Sequence, residues 1–387
     1  MTLSDILTFS RTSAATYVDG NGYVATAAAH EPRIDHDPAT LERIGYLVEG
    51  ASQNDFETSQ DFTDPSWVPV GSAVVPGAGI APDGSASATL VREDSADALH
   101  HLASLVALTS GAVYSCAVWA KAAGRGFARI VATGNIGGAA QMIVVDLTPG
   151  GTAATGGVTA RARPFRDGWW RISLSGAATA TGSVWWRIGP SDRLSTAETG
   201  YQGDGTSGVL VWGAQFEAQA HPTSYIATSG TAAIRSADRA EVPVGSWFRG
   251  DELSLYMEAR PLWDRDDSWI AALHDGTIGN RISLHTTASK YTLTTYNDLV
   301  ADVYMAVGDV VAGSTEKIAF ASAANDWRAC INGGAVSVDV TGAMPGGLTT
   351  LEVGRLVGDY RCWHGHIRDL RFYPRRLTDA ELQAITA

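Results

Sequence analysis

The chain has 387 residues, with 28 Lys and Arg against 41 Asp and Glu, a formal net charge of −13. That balance excludes a general nucleic-acid footprint, and no apolar run reaches the ~18 residues of a membrane helix, so no membrane insertion is expected. Only 18% of residues are charged, and 42 of 387 are Gly, about 11% against a usual ~7%; this describes short strands and tight turns, not helices.

The opening, MTLSDILTFS, has no basic region and no long apolar stretch, so no secretory signal is expected. Residues 1–60 read as a short irregular module. Two β-prone stretches flank Asp19-Gly20-Asn21-Gly22, a hairpin turn signal. EPRIDHDPAT is a loop, because X-Pro steps resist helix and sheet continuation. GYLVEG is a further short strand. Such a module has no core of its own and must pack on something else.

Residues 61–228 carry alternating strands. In VYSCAVWAKA, Tyr114, Cys116, Val118 and Ala120 share one face, and Trp119 and Lys121 lie on the other. Trp170, Ile172 and Leu174 alternate with Trp169 and Arg171; Val184, Trp186 and Ile188 alternate with Trp185 and Arg187. Gly-rich turns between such strands predict a β-sandwich or jelly roll. Residues 229–246 are small, polar and aperiodic and read as a linker. Residues 247–387 return to strands such as LSLYMEARP, RISLHTT and EKIAFAS, with Trp327 assigned to the core. One helix ends the chain, capped by Thr378 with Glu381 completing a capping box. The fold class is therefore all-β: two tandem β-sandwich domains preceded by the N-terminal segment.

Three cysteines, Cys116, Cys330 and Cys362, form an odd, sparse set without a CxxC pair. They offer neither a disulfide framework nor a Cys-based zinc site, which predicts maturation in a reducing bacterial cytoplasm.

FSRTSAATYVDGNGYVATAAAHEPRIDHDPATLERIGYLVEGASQN, residues 9–54, resembles a segment of receptor-binding fibre and spike proteins from phages, prophages and gene transfer agents. Where that pattern often has Arg-Thr-Asn-Leu, this chain has Ser52-Gln53-Asn54-Asp55. VYSCAVWAKA, DGWWRISLSG and GVLVWGAQFEAQAHPTSYIAT resemble the carbohydrate-binding jelly rolls that follow in such proteins. WHGHIRDLRFYPRRLTDAELQAI, residues 363–385, resembles the closing strand and helix of a concanavalin A-like (laminin-G-type) sandwich. The resemblance implies a head or tail spike on the surface of a virion or phage-like particle, in multiple copies. Its N-terminal segment would attach to other particle proteins, and its sandwiches would bind host capsule or lipopolysaccharide.

The 12 Trp residues carry the binding expectation. Trp119, Trp169 and Trp185, with Lys121, Arg171 and Arg187, are expected to form one saccharide platform. An indole stacks on the apolar face of a pyranose, and guanidinium groups bond hydroxyls or carboxylates, which favours an acidic or sulfated glycan. The competing reading is a face covered by the N-terminal segment or a neighbouring subunit. No cofactor is expected. A structural Ca²⁺ is weighed at Asp204 and at the acidic run Asp264, Asp266, Asp267, where a solvated turn is the simpler reading. His100-His101 and His364/His366 lack zincin-like spacing and read as packing or surface residues. The strand motif Glu-x-Asp-x-x-Glu of sandwich-fold hydrolases is missing, as are GxSxG and P-loop motifs, so a non-enzymatic binder is expected. The alternatives are a capsule depolymerase and a purely structural particle protein.

Overall fold

The computed structural model describes residues 7–138, 140–264, 266–358 and 361–387; residues 1–6 of the N-terminal segment lie outside it. Two antiparallel sandwiches dominate. In the first, one sheet runs in the order Thr152–Ala154, Gln141–Asp146, Phe127–Ala132, Gly182–Ser191, His101–Leu108, Val68–Val70. The facing sheet runs Thr159–Pro164, Trp170–Ala177, Val113–Ala123, Gly208–Glu217, Ala88–Glu93, Ser72–Gly79. The alternation decides what lies between them. Cys116, Val118, Ile172, Leu174, Val184, Trp186 and Ile188 all enter one buried cluster, as their two-residue period requires.

The second sandwich has two seven-stranded sheets, and the N-terminal segment belongs to both. Thr8–Ser10 pairs with Arg239–Pro243 on one sheet, and Ile34–His36 and Arg43–Val48 extend the other beyond Gly365–Tyr373. Residues 229–246, expected as a linker, hold strands Ala233–Arg235 and Arg239–Pro243. The physical reason is pairing: Arg239–Pro243 joins Thr8–Ser10 to Thr350–Val353, Ala233–Arg235 pairs with Ser52–Asn54, and every one of these partners is remote in sequence. Trp327 is fully buried between the sheets. The C-terminal helix Asp379–Thr386 carries the predicted capping box, with Thr378 and Glu381 bonded reciprocally.

The segment's RTS and PRID stretches explain how it is held. Arg11 Nη1 bonds Asp238 Oδ1 at 2.9 Å, Arg33 bridges Glu49 at 2.9 Å and also Asp238, and Arg235 approaches Glu49 at 3.6 Å. All five side chains are buried. Burial opposes the charge on Arg33 most strongly, but Asp238 and Glu49 together outweigh it and raise its pKa. Arg235 sits farther from both carboxylates, so burial prevails and its pKa is lowered. The hairpin predicted at residues 19–22 is present between Ala15–Val18 and Val24–Ala27, with Asp19 accepting from the Asn21 and Tyr23 amides.

Candidate functional site

The six residues expected to share a platform lie on two sheets. Trp119, Lys121, Trp169 and Arg171 face outward from the sheet of Val113–Ala123 and Trp170–Ala177, whereas Trp185 and Arg187 are on the opposite sheet of the sandwich. A single platform is therefore ruled out by topology. Nor are the first two indoles at the surface: Trp119 is 3% exposed and Trp169 2%, against 38% for Trp185. Val18 and Val24 of the N-terminal hairpin pack over Trp119, Trp169, Phe165, Trp212 and Tyr225. Covering by the N-terminal segment, the competing reading of this face, is what the structure has. Lys121 is half-buried, and Arg187 is paired with Glu198. Trp185 stands beside Leu105 in register, and the two form an exposed apolar pair.

The cover leaves a cavity of about 310 Å³, at the lower end of the ~300–1,000 Å³ range of small-ligand pockets. Three parts of the chain wall it. Trp119, Arg161, Arg163, Phe165 and Arg171 come from the first sandwich; Tyr17, Val18, His36 and Pro38 from the N-terminal segment; Arg260, Trp263 and His366 from the second sandwich. Trp119 and Arg171 are the two expected site residues that meet there.

Local structure explains each position. The strand Val113–Ala123 shifts register against Gly208–Glu217 between Ala117 and Trp119, and Gly213 opposite has φ +64°. A Cβ on Gly213 would lie 2.9 Å from the Trp119 ring, so only Gly admits the indole. Trp119 then meets Trp212 and Tyr225 edge-on at 5.2 and 5.7 Å. The Arg171 guanidinium lies 4.6 Å from the Trp119 centroid, and its Nη2 donates to the Thr223 carbonyl at 2.6 Å, but its buried Nε has no hydrogen-bond acceptor. Arg161 and Arg163 lie over the Trp263 ring at 4.6 and 5.1 Å. His221 stacks on that ring at 4.2 Å.

The electrostatics are asymmetric. Burial first, then the neighbouring charges of Arg161, Arg171 and Arg260, push Arg163 down to about 10, so it remains a cation at neutral pH. Burial also lowers Arg161 and Arg171. The wall's carboxylates are already engaged. Asp35 accepts from the Val18 amide at 2.6 Å and lies 2.7 Å from His366 Nε2. Asp37 accepts from the Ala39 and Thr40 amides, both at 2.9 Å. Glu49 holds Arg33 and the Ser224 amide. Among the described residues, no ion pair or hydrogen bond holds the guanidinium of Arg161 or Arg163.

Asp204 is engaged within its own turn. Its Oδ1 accepts from the Thr206 and Ser207 amides at 2.7 and 2.6 Å, Oδ2 accepts from the Ser207 hydroxyl, and Arg125 is 4.0 Å away. Those hydrogen bonds, the Ser207 hydroxyl foremost, hold its pKa well below the usual carboxylate range. Asp266 caps the Ser289 amide and Asp267 faces Arg361, as a turn would have it. Among the described residues, no three His, Cys, Asp or Glu side chains gather as a metal would need. His100 is buried against Tyr201, and His366 pairs with Asp35. Sequence reasoning missed Arg161, Arg163, Arg260 and Trp263. The one available signal was TARARP, where Arg161 and Arg163 share a strand face.

No family profile and no curated protein matches the chain. Solved structures give partial likenesses. The NanB sialidase from Streptococcus pneumoniae aligns at TM-score 0.32 and 14% identity over 38% of this chain and 26% of that one, so this chain spans about a quarter of its length. Domain 4 of AbnA, a GH43 extracellular arabinanase from Geobacillus stearothermophilus seen with arabinotriose, aligns at TM-score 0.33 and 15% identity, over 43% of this chain and 82% of that one. Mouse laminin α1 domains LG4-5 align at 0.29 and 12% identity, over 90% and 93%.

Proposed function

We propose that the protein binds carbohydrate without cleaving it, and that it serves as a host-adsorption spike on a phage-like particle. The observation that carries the binding reading is the cavity between the sandwiches, where Trp119, Tyr225, Phe165 and Trp263 meet the guanidinium groups of Arg161 and Arg163, which no acid pairs with among the described residues. Flat rings take the apolar face of a sugar, and fixed donors take its oxygens. Binding is favoured over hydrolysis because Asp35, Asp37 and Glu49 are each engaged in structural hydrogen bonds, whereas a glycosidase needs two carboxyls free to act on the bond between them. The particle setting rests on the resemblance of residues 9–54. Many copies would multiply a weak single site by ~10²–10⁴.

Glycan-array binding by the full chain, followed by a reducing-end assay on each retained polysaccharide, tests this. Retention without new reducing ends is expected. An empty array, or release of reducing ends, overturns it.

A further inference from the structure

We infer that the cavity between the sandwiches is an oxyanion site, with Arg163 as its centre, and that the sugar it takes carries a carboxylate or sulfate. The inference rests on the carbohydrate reading above but fixes where the charge of the ligand sits, and it centres the anion on Arg163, a residue not among those first singled out in the sequence. Three observations converge. Four arginines, Arg161, Arg163, Arg171 and Arg260, line this one cavity, and they come from both sandwiches. The Arg163 guanidinium lies over the Trp263 ring at the cavity wall, and no ion pair or hydrogen bond holds it among the described residues. Arg171 buries an Nε–H with no acceptor. Four like charges gathered round one cavity without a matching anion repel one another, and a buried donor left without an acceptor is costly.

One oxyanion between these groups would relieve both defects. It would accept from Arg163 and Arg171 and neutralise the repulsion across the cavity. A planar carboxylate or a tetrahedral sulfate both suit the forked guanidinium geometry. The attached ring would occupy the cavity beside these guanidinium groups, which already cover the faces of Trp119 and Trp263. The overall charge of −13 does not oppose this, because a site walled by protein answers to its near neighbours.

Calorimetric titration of the full chain with D-glucuronate, its uncharged methyl ester, a 6-sulfated glucose and D-glucose tests the inference. Both charged sugars are expected to bind roughly tenfold to a hundredfold more tightly than the uncharged ones. Arg163→Gln should erase that difference, bringing the charged sugars down to the affinity of the neutral ones. Arg260→Gln, on the other sandwich, should reduce it in part and serves if Arg163→Gln does not fold. Equal binding of charged and neutral sugars, no binding of either charged sugar, or an unaltered preference in a folded variant overturns the inference. The two readings fail separately. A neutral polysaccharide retained on the array and indifferent to Arg163→Gln leaves carbohydrate binding standing and sinks the oxyanion site. An empty array with neither charged sugar bound sinks both.

Discussion

Glu49 sits fully buried between Arg33 and Arg235, and its Oε1 also accepts from the Ser224 amide. Burial pushes the carboxyl up, but Arg235 and Arg33 outweigh it and hold the pKa below the ordinary 4.5. A depressed folded-state pKa means that acid protonates the unfolded chain first. The stabilisation is therefore present above about pH 4.5 and is lost as pH falls below that value. Glu49→Gln should cost ~3–5 kcal/mol at neutral pH, since it strands two buried cations. It should also flatten the acid limb of a urea-midpoint-against-pH curve; an equally steep limb in the variant would show that Glu49 is not the group responsible. Gly213 makes a second case. Its φ of +64° and the 2.9 Å approach to Trp119 exclude a side chain, so Gly213→Ala should cost at least ~1–2 kcal/mol from the backbone alone. It should also displace the indole, detectable as a change in near-ultraviolet circular dichroism.

At the scale of elements, the strands that alternate cleanly were legible in the sequence and the borrowed ones were not. Val113–Ala123, Trp170–Ala177 and Gly182–Ser191 each sort their side chains into inward and outward sets, and period two suffices to read that. The strands Thr8–Ser10 and Ile34–His36 are three residues long and Arg239–Pro243 is five, too short for a period; the partners of the first and last are remote, and Ile34–His36 reaches the second sandwich only through Arg43–Val48. The same limit hid the cavity. Alternation correctly put Trp119 and Arg171 on an outer face, but it cannot say what lies over that face, nor which sheet Trp185 joins. The borrowed strands carry their own prediction. A chain beginning at residue 237 lacks Arg43–Val48 and leaves the edge of Gly365–Tyr373 unpaired, with Val48 missing from the core. It should aggregate, whereas co-expression with residues 1–60 should restore solubility; a soluble, monomeric fragment would contradict the pairing. At the other end, Thr378→Ala removes a cap bonded to the Glu381 amide and should cost ~1 kcal/mol in a thermal melt.

For the whole molecule, what matters is whether the two sandwiches behave as one body. The N-terminal segment pairs into both sheets of the second sandwich while its hairpin covers Trp119 and Trp169 of the first. Trp263 of the second is held on its faces by His221, Arg161 and Arg163 of the first. Arg33 reaches Ser224, Glu49 and Asp238 at once, so residues from three stretches of the chain share one buried charge cluster. Neither sandwich can open without stranding part of that cluster in a low-dielectric interior. One calorimetric transition is therefore expected, although two domains of this size often unfold separately. Trp263→Ala should lower that transition by an amount corresponding to ~3–5 kcal/mol, the usual cost of deleting a buried Trp, without splitting it, because the charge cluster and the borrowed strands remain. Hydrogen exchange in the variant should rise at Arg161–Phe165 and Pro222–Tyr225, which border the cavity, and stay unchanged in both cores. Two transitions in the unmodified protein would show that the segment links the sandwiches without coupling them, and a ligand in the cavity would then bind one sandwich at a time.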